Sequence, residues 1–297
     1  MVKNREQLPI QTTSRAKHPH QYSTMLQMIH SGHDEHRERI AGPLLNAHAL
    51  QNDGKHHLLL AASGSVATIK IPNILKALSH HPNLSTRVIL TKSATNFLAG
   101  QSHEQPHIDQ LRKITNVDGV YLDEEEWVHP WKRGNEILHI ELRRWAHILV
   151  IAPLSANTLA KIVGGFSDNL LTSVVRAWDT TGTIDMPVHP SGSPSHSRLK
   201  KKRIVVAPAM NTAMWRHPIT KKQIRVLEQD WGVSEEKVLM NGESRIEGDG
   251  DEEGSEGWFE VLRPMEKELA CGDVGTGAME DWNVIVEVIE KRLGLKE

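Results

Sequence analysis

Residues 57–78 read HLLLAASGSVATIKIPNILKAL. The apolar run from His57 to Ala62 suits a strand buried on both faces. It breaks at Ser63-Gly64-Ser65, and Val66, Ile69, Ile74, Leu75 and Leu78 then recur at helical spacing. That spacing predicts a helix over 65–80, with Pro72 as a candidate kink. A buried strand, a turn of small residues and a helix form the opening unit of a parallel α/β sheet.

The same order recurs along the chain. TRVILT (86–91) precedes helical SATNFLAG, and AHILVIAP (146–153) precedes SANTLAKIVGG and DNLLTSVVRAWD. KRIVVAPAM (202–210) precedes a helical stretch through 218–231, and EDWNVIVEVIEKRLGL closes the chain as an amphipathic helix. Strands alternating with helices predict a parallel sheet with helices on both faces. Ligands of such sheets bind at the carboxyl ends of the strands.

Composition locates the domain. Residues 1–55 are polar, histidine-rich and aperiodic, and read as a flexible N-terminal extension. The spacing of those histidines is irregular, so no metal site is assigned. Residues 56–297 form the domain, with insertions at 181–202, rich in Pro, Ser and Gly, and at 241–260, Gly-rich and acidic. Without these segments about 200 residues remain, the size of one ordinary domain.

Charge and cysteine content narrow the class. Lys+Arg total 35 against Asp+Glu 37, a net charge of -2, so no basic excess exists to grip nucleic acid. One cysteine, Cys271, excludes a disulfide framework and a CxxC zinc site. No apolar run reaches the ~20 residues that span a bilayer, and the N-terminus has no apolar signal region. The expectation is a cytoplasmic protein with no membrane partner.

Chemistry gathers at the expected strand ends. Ala62-Ser63-Gly64-Ser65-Val66-Ala67 lets backbone approach a ligand and offers free N–H groups to an anion. It reads equally as a tight turn with a Ser cap. Thr91-Lys92-Ser93 and Ser155-Ala156-Asn157-Thr158 repeat the pattern, and three such ends are better explained by one shared polar ligand. Pro208-Ala209-Met210-Asn211 brings an amide able to meet a carboxylate, but taken alone a helix cap followed by core residues is the better account. His139, in LHIELRRW, is the candidate for proton chemistry near neutral pH, although a lone histidine is more often structural. Cys271, in LACGDVGTGAM, lies among glycines that describe a mobile flap rather than a core strand.

ASGSVA, TKSA, LHIELRRWA, APLSANTLAKI with GG and DNLLT, PAMNTAMW and LACGDVGTGAM occur in this order. Together they resemble the flavin-dependent cysteine decarboxylase family, in its eukaryotic branch acting on phosphopantothenoylcysteine. The resemblance covers nearly all of the 200-residue core. It implies a Rossmann-like, flavodoxin-type doubly wound fold that assembles as a trimer and binds FMN. It places FMN contacts at Gly64, Ser65, Val66, Thr91, Ser93, Phe97, Ser155, Ala156, Asn157, Thr158 and Ala209. It assigns active-site roles to His139, Asn211 and Cys271, and substrate contacts to Asn211, Arg144, Ala270 and Met279. The pocket of the family lies between protomers, so His139 and Cys271 would come from different chains.

The implied reaction converts 4'-phospho-N-pantothenoyl-cysteine to 4'-phosphopantetheine in coenzyme A biosynthesis. Simple CO2 loss leaves a carbanion without an electron sink. Prior oxidation of the cysteinyl thiol toward a thioaldehyde supplies one, and later hydride return restores the thiol. His139 would assist oxidation and decarboxylation, Asn211 would hold the carboxylate or amide, and Cys271 would donate the final proton. The flank before LACG, Lys267-Glu268, departs from the basic flank common in relatives.

Other readings compete. Some fungal relatives inhibit a Ser/Thr protein phosphatase or contribute only part of a hybrid decarboxylase trimer. Such chains can lack the His or the Cys, and the inhibitors can carry an acidic tail. This chain keeps both residues and ends KRLGLKE, which favours a self-sufficient homotrimeric enzyme. A nicotinamide dehydrogenase is disfavoured by the missing GxGxxG. A decarboxylase of peptide C-terminal cysteines would share His139 and PAMN.

Overall fold

Leu58, Leu60 and Ala62 of strand β1 (His56–Ala62) pack into one core cluster, and Leu59 and Ala61 into another; all five are fully buried. A period of two is therefore present within an unbroken apolar run, because both faces of the strand are covered. The computed structural model describes residues 45–50, 53–128, 130–184, 201–233, 257–268 and 274–295. Among them, β2 (Leu84–Leu90), β3 (Val117–Leu122), β4 (Ile148–Leu154), β5 (Arg203–Pro208) and β6 (Phe259–Val261) join β1 in one parallel sheet. Its order is β3-β2-β1-β4-β5-β6. A separate antiparallel hairpin pairs β7 (Met265–Glu268) with β8 (Val274–Ala278).

Among the described residues the helices are α1 (Ala47–Leu50), α2 (Ile71–Leu78), α3 (Lys92–Thr95), α4 (Ile108–Leu111), α5 (Leu138–Trp145), α6 (Ala156–Val163), α7 (Leu170–Arg176), α8 (Thr212–Arg216), α9 (Pro218–Arg225) and α10 (Trp282–Leu293). Helices α2 and α10 bury Ile71, Ile74, Leu75, Ile285 and Ile289 on one face of the sheet. Helices α5, α6 and α7 bury Leu142, Trp145, Leu159, Leu170 and Val174 on the other. The expected doubly wound α/β sheet is the fold observed. Each fully buried leucine contributes about 2 kcal/mol of transfer free energy. No helix among the described residues is long and apolar enough to cross a membrane.

The chain leaves β1 toward β2 on one side and returns to β4 on the other, so the sheet order reverses between β1 and β4. Ser63 ties the two ends together. Its hydroxyl donates to the Pro153 carbonyl at 3.0 Å and accepts from the Ser155 N–H at 2.8 Å. The Ala152–Pro153 peptide bond is cis. A crevice opens at such a reversal, beyond the carboxyl ends of the strands.

Several local expectations are corrected. The helix expected over 65–80 is a 3-10 segment, Val66–Lys70, followed by α2; Pro72 lies in the first turn of α2, where no N–H is required, and makes no mid-helix kink. SATNFLAG holds one helical turn, α3. The helix over 218–231 is α-helical to Arg225 and then a π-turn, Val226–Asp230. Residues 45–50 of the expected extension are packed: Leu45 and Ala47 are buried in the α5 cluster, and the Ala47 N–H donates to Glu141 at 2.8 Å. Two apolar side chains and one backbone bond bring the folded domain forward of residue 55. Residues 185–200 and 241–256 of the two expected insertions lie outside the described residues. The end of the second is not loop: Phe259 and Glu260 enter β6, because Phe259 packs in the core and pairs with Ile204 of β5.

Candidate active site

Four strand ends meet at the reversal point. The first carries Gly64 and Ser65; the hydroxyl of Ser65 makes no capping bond to the 3-10 segment that follows. Thr91 ends β2 and caps α3 through Ala94 N–H at 3.4 Å. Ser155 ends β4 and caps α6 through Thr158 N–H at 3.3 Å. Beyond β5, the Oδ1 of Asn211 caps α8 by accepting from Met214 N–H at 2.9 Å. The capping reading of the sequence therefore holds for these three side chains. Each side chain closes a helix N-terminus, and each also lines a common cavity of about 780 Å³.

The cavity brings together Gly64, Ser65, Val66, Thr91, Ser93, Phe97, Ser155, Ala156, Asn157, Thr158, Ala209, Asn211 and Met279, all anticipated from the sequence. Ala270 and Cys271 lie outside the described residues. His139 and Arg144 do not line the cavity of their own chain. Arg144 is exposed and donates to Glu141 at 3.0 Å. His139, near the start of α5, donates from Nδ1 to the buried carboxylate of Glu126. Glu126 belongs to a 3-10 segment, Asp123–Trp127, whose first residue lines the cavity. His139 is therefore anchored on the same element as one cavity wall.

The glycines before Met279 serve close approach. Gly277 accepts from Met210 N–H at 2.9 Å, and a Cβ on it would lie 2.5 Å from the Met210 carbonyl. A Cβ on Gly275 would lie 1.8 Å from Thr212 Oγ1. Glycine here docks β8 onto the Asn211 turn, so this part of the expected flap is a paired strand.

Sequence reasoning missed a charged rim: Lys70, Lys92, Asp123, Lys161 and Asp168 also line the cavity. Lys161 pairs with Asp168 at 2.5 Å. Burial raises the Asp123 carboxyl above its ordinary value, while N–H donation from Lys92 at 3.0 Å and Leu170 at 3.3 Å opposes this. Lys92 sits within TKSA and Lys161 within LAKI, so adjacency to the motifs was the available signal.

The family model described as Flavoprotein matches residues 46–294. The chain belongs to the flavoprotein family. This flavoprotein is 39% identical over 235 residues to phosphopantothenoylcysteine decarboxylase of Arabidopsis thaliana, covering 79% of this chain and 84% of that protein. It is 37% identical over 253 residues to Coenzyme A biosynthesis protein 3 of Saccharomyces cerevisiae, covering 82% of this chain. The chain spans only 34% of that yeast protein's length. Among solved structures it is similar to a PPC decarboxylase mutant complexed with pantothenoylaminoethenethiol, with TM-score 0.55, 36% identity, and coverage of 80% of this chain and 97% of that one. It is also similar to the FMN binding protein AtHal3, with TM-score 0.53, 36% identity, and coverage of 82% and 99%.

Proposed function

We propose that this flavoprotein is an FMN-dependent decarboxylase that converts 4'-phospho-N-pantothenoyl-cysteine to 4'-phosphopantetheine, a step of coenzyme A biosynthesis. The observation that carries the reading is the cavity at the strand reversal, where thirteen of the residues expected to contact FMN or substrate converge. The likeness to a decarboxylase at 39% identity supports the same chemistry.

The residues present suit FMN. A cavity of about 780 Å³ is large enough for a drug-sized molecule. Val66, Phe97, Ala209 and Met279 offer apolar wall for a flat ring. Ser65, with its hydroxyl uncommitted to capping, and the N-terminus of α6 offer donors to phosphate. FMN, when bound, supplies a reversible two-electron acceptor, which permits temporary oxidation of the cysteinyl thiol.

The protein's own groups bind, orient and move protons. Asn211 commits Oδ1 to Met214, so its Nδ2 remains to donate to the substrate carboxylate or amide carbonyl. His139 donates from Nδ1 to Glu126, which leaves Nε2 as the proton acceptor. Cys271 is the proton donor that completes the product. His139 stands outside its own chain's cavity, which supports a homotrimer in which it serves a neighbour's site. Exposed Trp127 and Phe166, which do not line the cavity, give such an assembly apolar surface to bury.

The test is direct. Purified full chain should be yellow and release CO2 from phosphopantothenoylcysteine. A colourless protein still inactive after FMN is added overturns the reading. Inhibition of a Ser/Thr protein phosphatase by the same preparation, without CO2 release, would favour the regulatory role instead.

A further inference from the structure

On the sheet face built by α2 and α10, three ligating side chains meet outside the cavity. His80 and His81 form the turn between α2 and β2, and Glu290 lies near the end of α10. One ligand atom from each lies within 4.8 Å of the others. None of the three lines the cavity. We propose that His80, His81 and Glu290 form a divalent metal site, suited to zinc, that staples the C-terminal helix to the α2–β2 turn.

The donor chemistry is specific. His80 Nδ1 lies 2.6 Å from the Ala77 carbonyl. A carbonyl can only accept, so Nδ1 carries the proton and Nε2 keeps its lone pair. A backbone carbonyl behind a ligating imidazole is the usual outer support of a metal-bound histidine, fixing its tautomer and orientation. His81 Nε2 lies 2.9 Å from Glu290 Oε1, and the two imidazole rings are 3.9 Å apart between centroids. Two imidazoles and one carboxylate match the three-ligand set of zinc sites that keep a position for water. Imidazole donors disfavour calcium and magnesium, which take oxygen.

The ligands are held before any metal arrives. His81 is 5% exposed. Asn116 Nδ2 donates to the His81 carbonyl at 2.7 Å and to the Ser79 carbonyl at 3.2 Å, bracing the turn. Ile285, Val286, Ile289 and Leu293 fix α10 in the core and so fix the height of Glu290. His80 is exposed, so its ring is free to turn toward the other two donors, which already lie within 4.8 Å of one of its nitrogens. His81 and Glu290 lie 209 residues apart in the sequence, so no metal-binding spacing announces the set.

The competing account is a plain hydrogen bond between His81 and Glu290 beside a surface histidine. Chelator-treated full chain, with any flavin retained, is titrated with Zn2+ by calorimetry and with Co2+ by visible absorption. Wild type is compared with His80→Ala, whose side chain supports no core, and with Glu290→Gln, which keeps a hydrogen-bond partner for His81. The expected result is one equivalent bound by wild type at this site, beyond any that the variants share, with a tetrahedral or five-coordinate cobalt spectrum. Its affinity should fall roughly tenfold or more in each folded variant. Zinc should also raise the melting temperature of wild type but not of His80→Ala. Other histidines of the chain bind equally in wild type and variants and cancel in the comparison. No metal bound by wild type, or the same equivalents and affinity in His80→Ala, overturns the proposal. Should Glu290→Gln fail to fold, His80→Ala alone decides.

Discussion

The Nδ1 of His139 is hydrogen-bonded to Glu126, a carboxylate whose side chain is only 5% exposed, while the imidazole itself is 21% exposed. The pair couples α5 to the 3-10 segment Asp123–Trp127, and its polarity presents Nε2 as the free basic nitrogen. Glu126→Gln removes the charge that stabilises an imidazolium while keeping an acceptor oxygen. CO2 release should slow on the order of tenfold to a hundredfold. Flavin content should be unchanged, since Glu126 does not line the cavity. A rate equal to wild type across the pH profile would remove Glu126 from the mechanism.

His139 and Cys271 should fail at different stages. His139→Asn should stop CO2 release. Cys271→Ser should release CO2 but accumulate the oxidised enethiol product in place of phosphopantetheine. Trapped CO2 and product mass from a single turnover separate the two. Normal phosphopantetheine from both variants would void these role assignments.

The α/β sheet was legible because its central strands are apolar throughout and each is followed by a turn of small polar residues. β3 (Val117–Leu122) was not legible: its sequence VDGVYL holds Asp118 and Gly119 and looks like a loop. It forms at the edge of the sheet, where only one neighbour, β2, demands pairing. Helix α5 carries no clear helical signature in its sequence, since Glu141 and Arg143 break its apolar stripe. Both are buried, and Glu141 is occupied by Ala47 N–H and Arg144. Motif residues on strand ends were located because backbone position alone decides them. His139 was identified but its partner was not, since a contact across 13 residues of irregular chain has no periodic signature.

Gly64 and Ser93 define how closely the first two strand ends approach. A Cβ built on Gly64 would lie 2.5 Å from Ser93 Cβ. Gly64→Ala should therefore cost roughly 1–3 kcal/mol and weaken flavin retention. Ser93→Gly removes the opposing carbon, so the double variant should regain much of the lost stability despite the added glycine. Denaturant melts of the four proteins give the coupling directly. Additive losses would show that the two turns relax independently.

Glu125 gives a pH dependence with a definite sign. Burial raises its carboxyl from 4.5 to about 7, opposed mainly by Arg112, whose guanidinium lies 3.5 Å away. In the unfolded chain the proton leaves near 4.5, whereas the folded protein holds it to about 7. The contribution of Glu125 to stability is thus fully present below pH 4.5 and is lost as pH rises through about 7. Glu125→Gln keeps a neutral side chain of the same shape at every pH. The melting temperature of the variant relative to wild type should therefore climb between pH 5 and pH 8, by about a few degrees. Thermal melts at the two pH values, with flavin saturating in both, measure the difference. An offset that stays constant, or one that shrinks toward pH 8 because the Arg112 pair outweighs desolvation, would reverse the assignment of burial as the dominant cause.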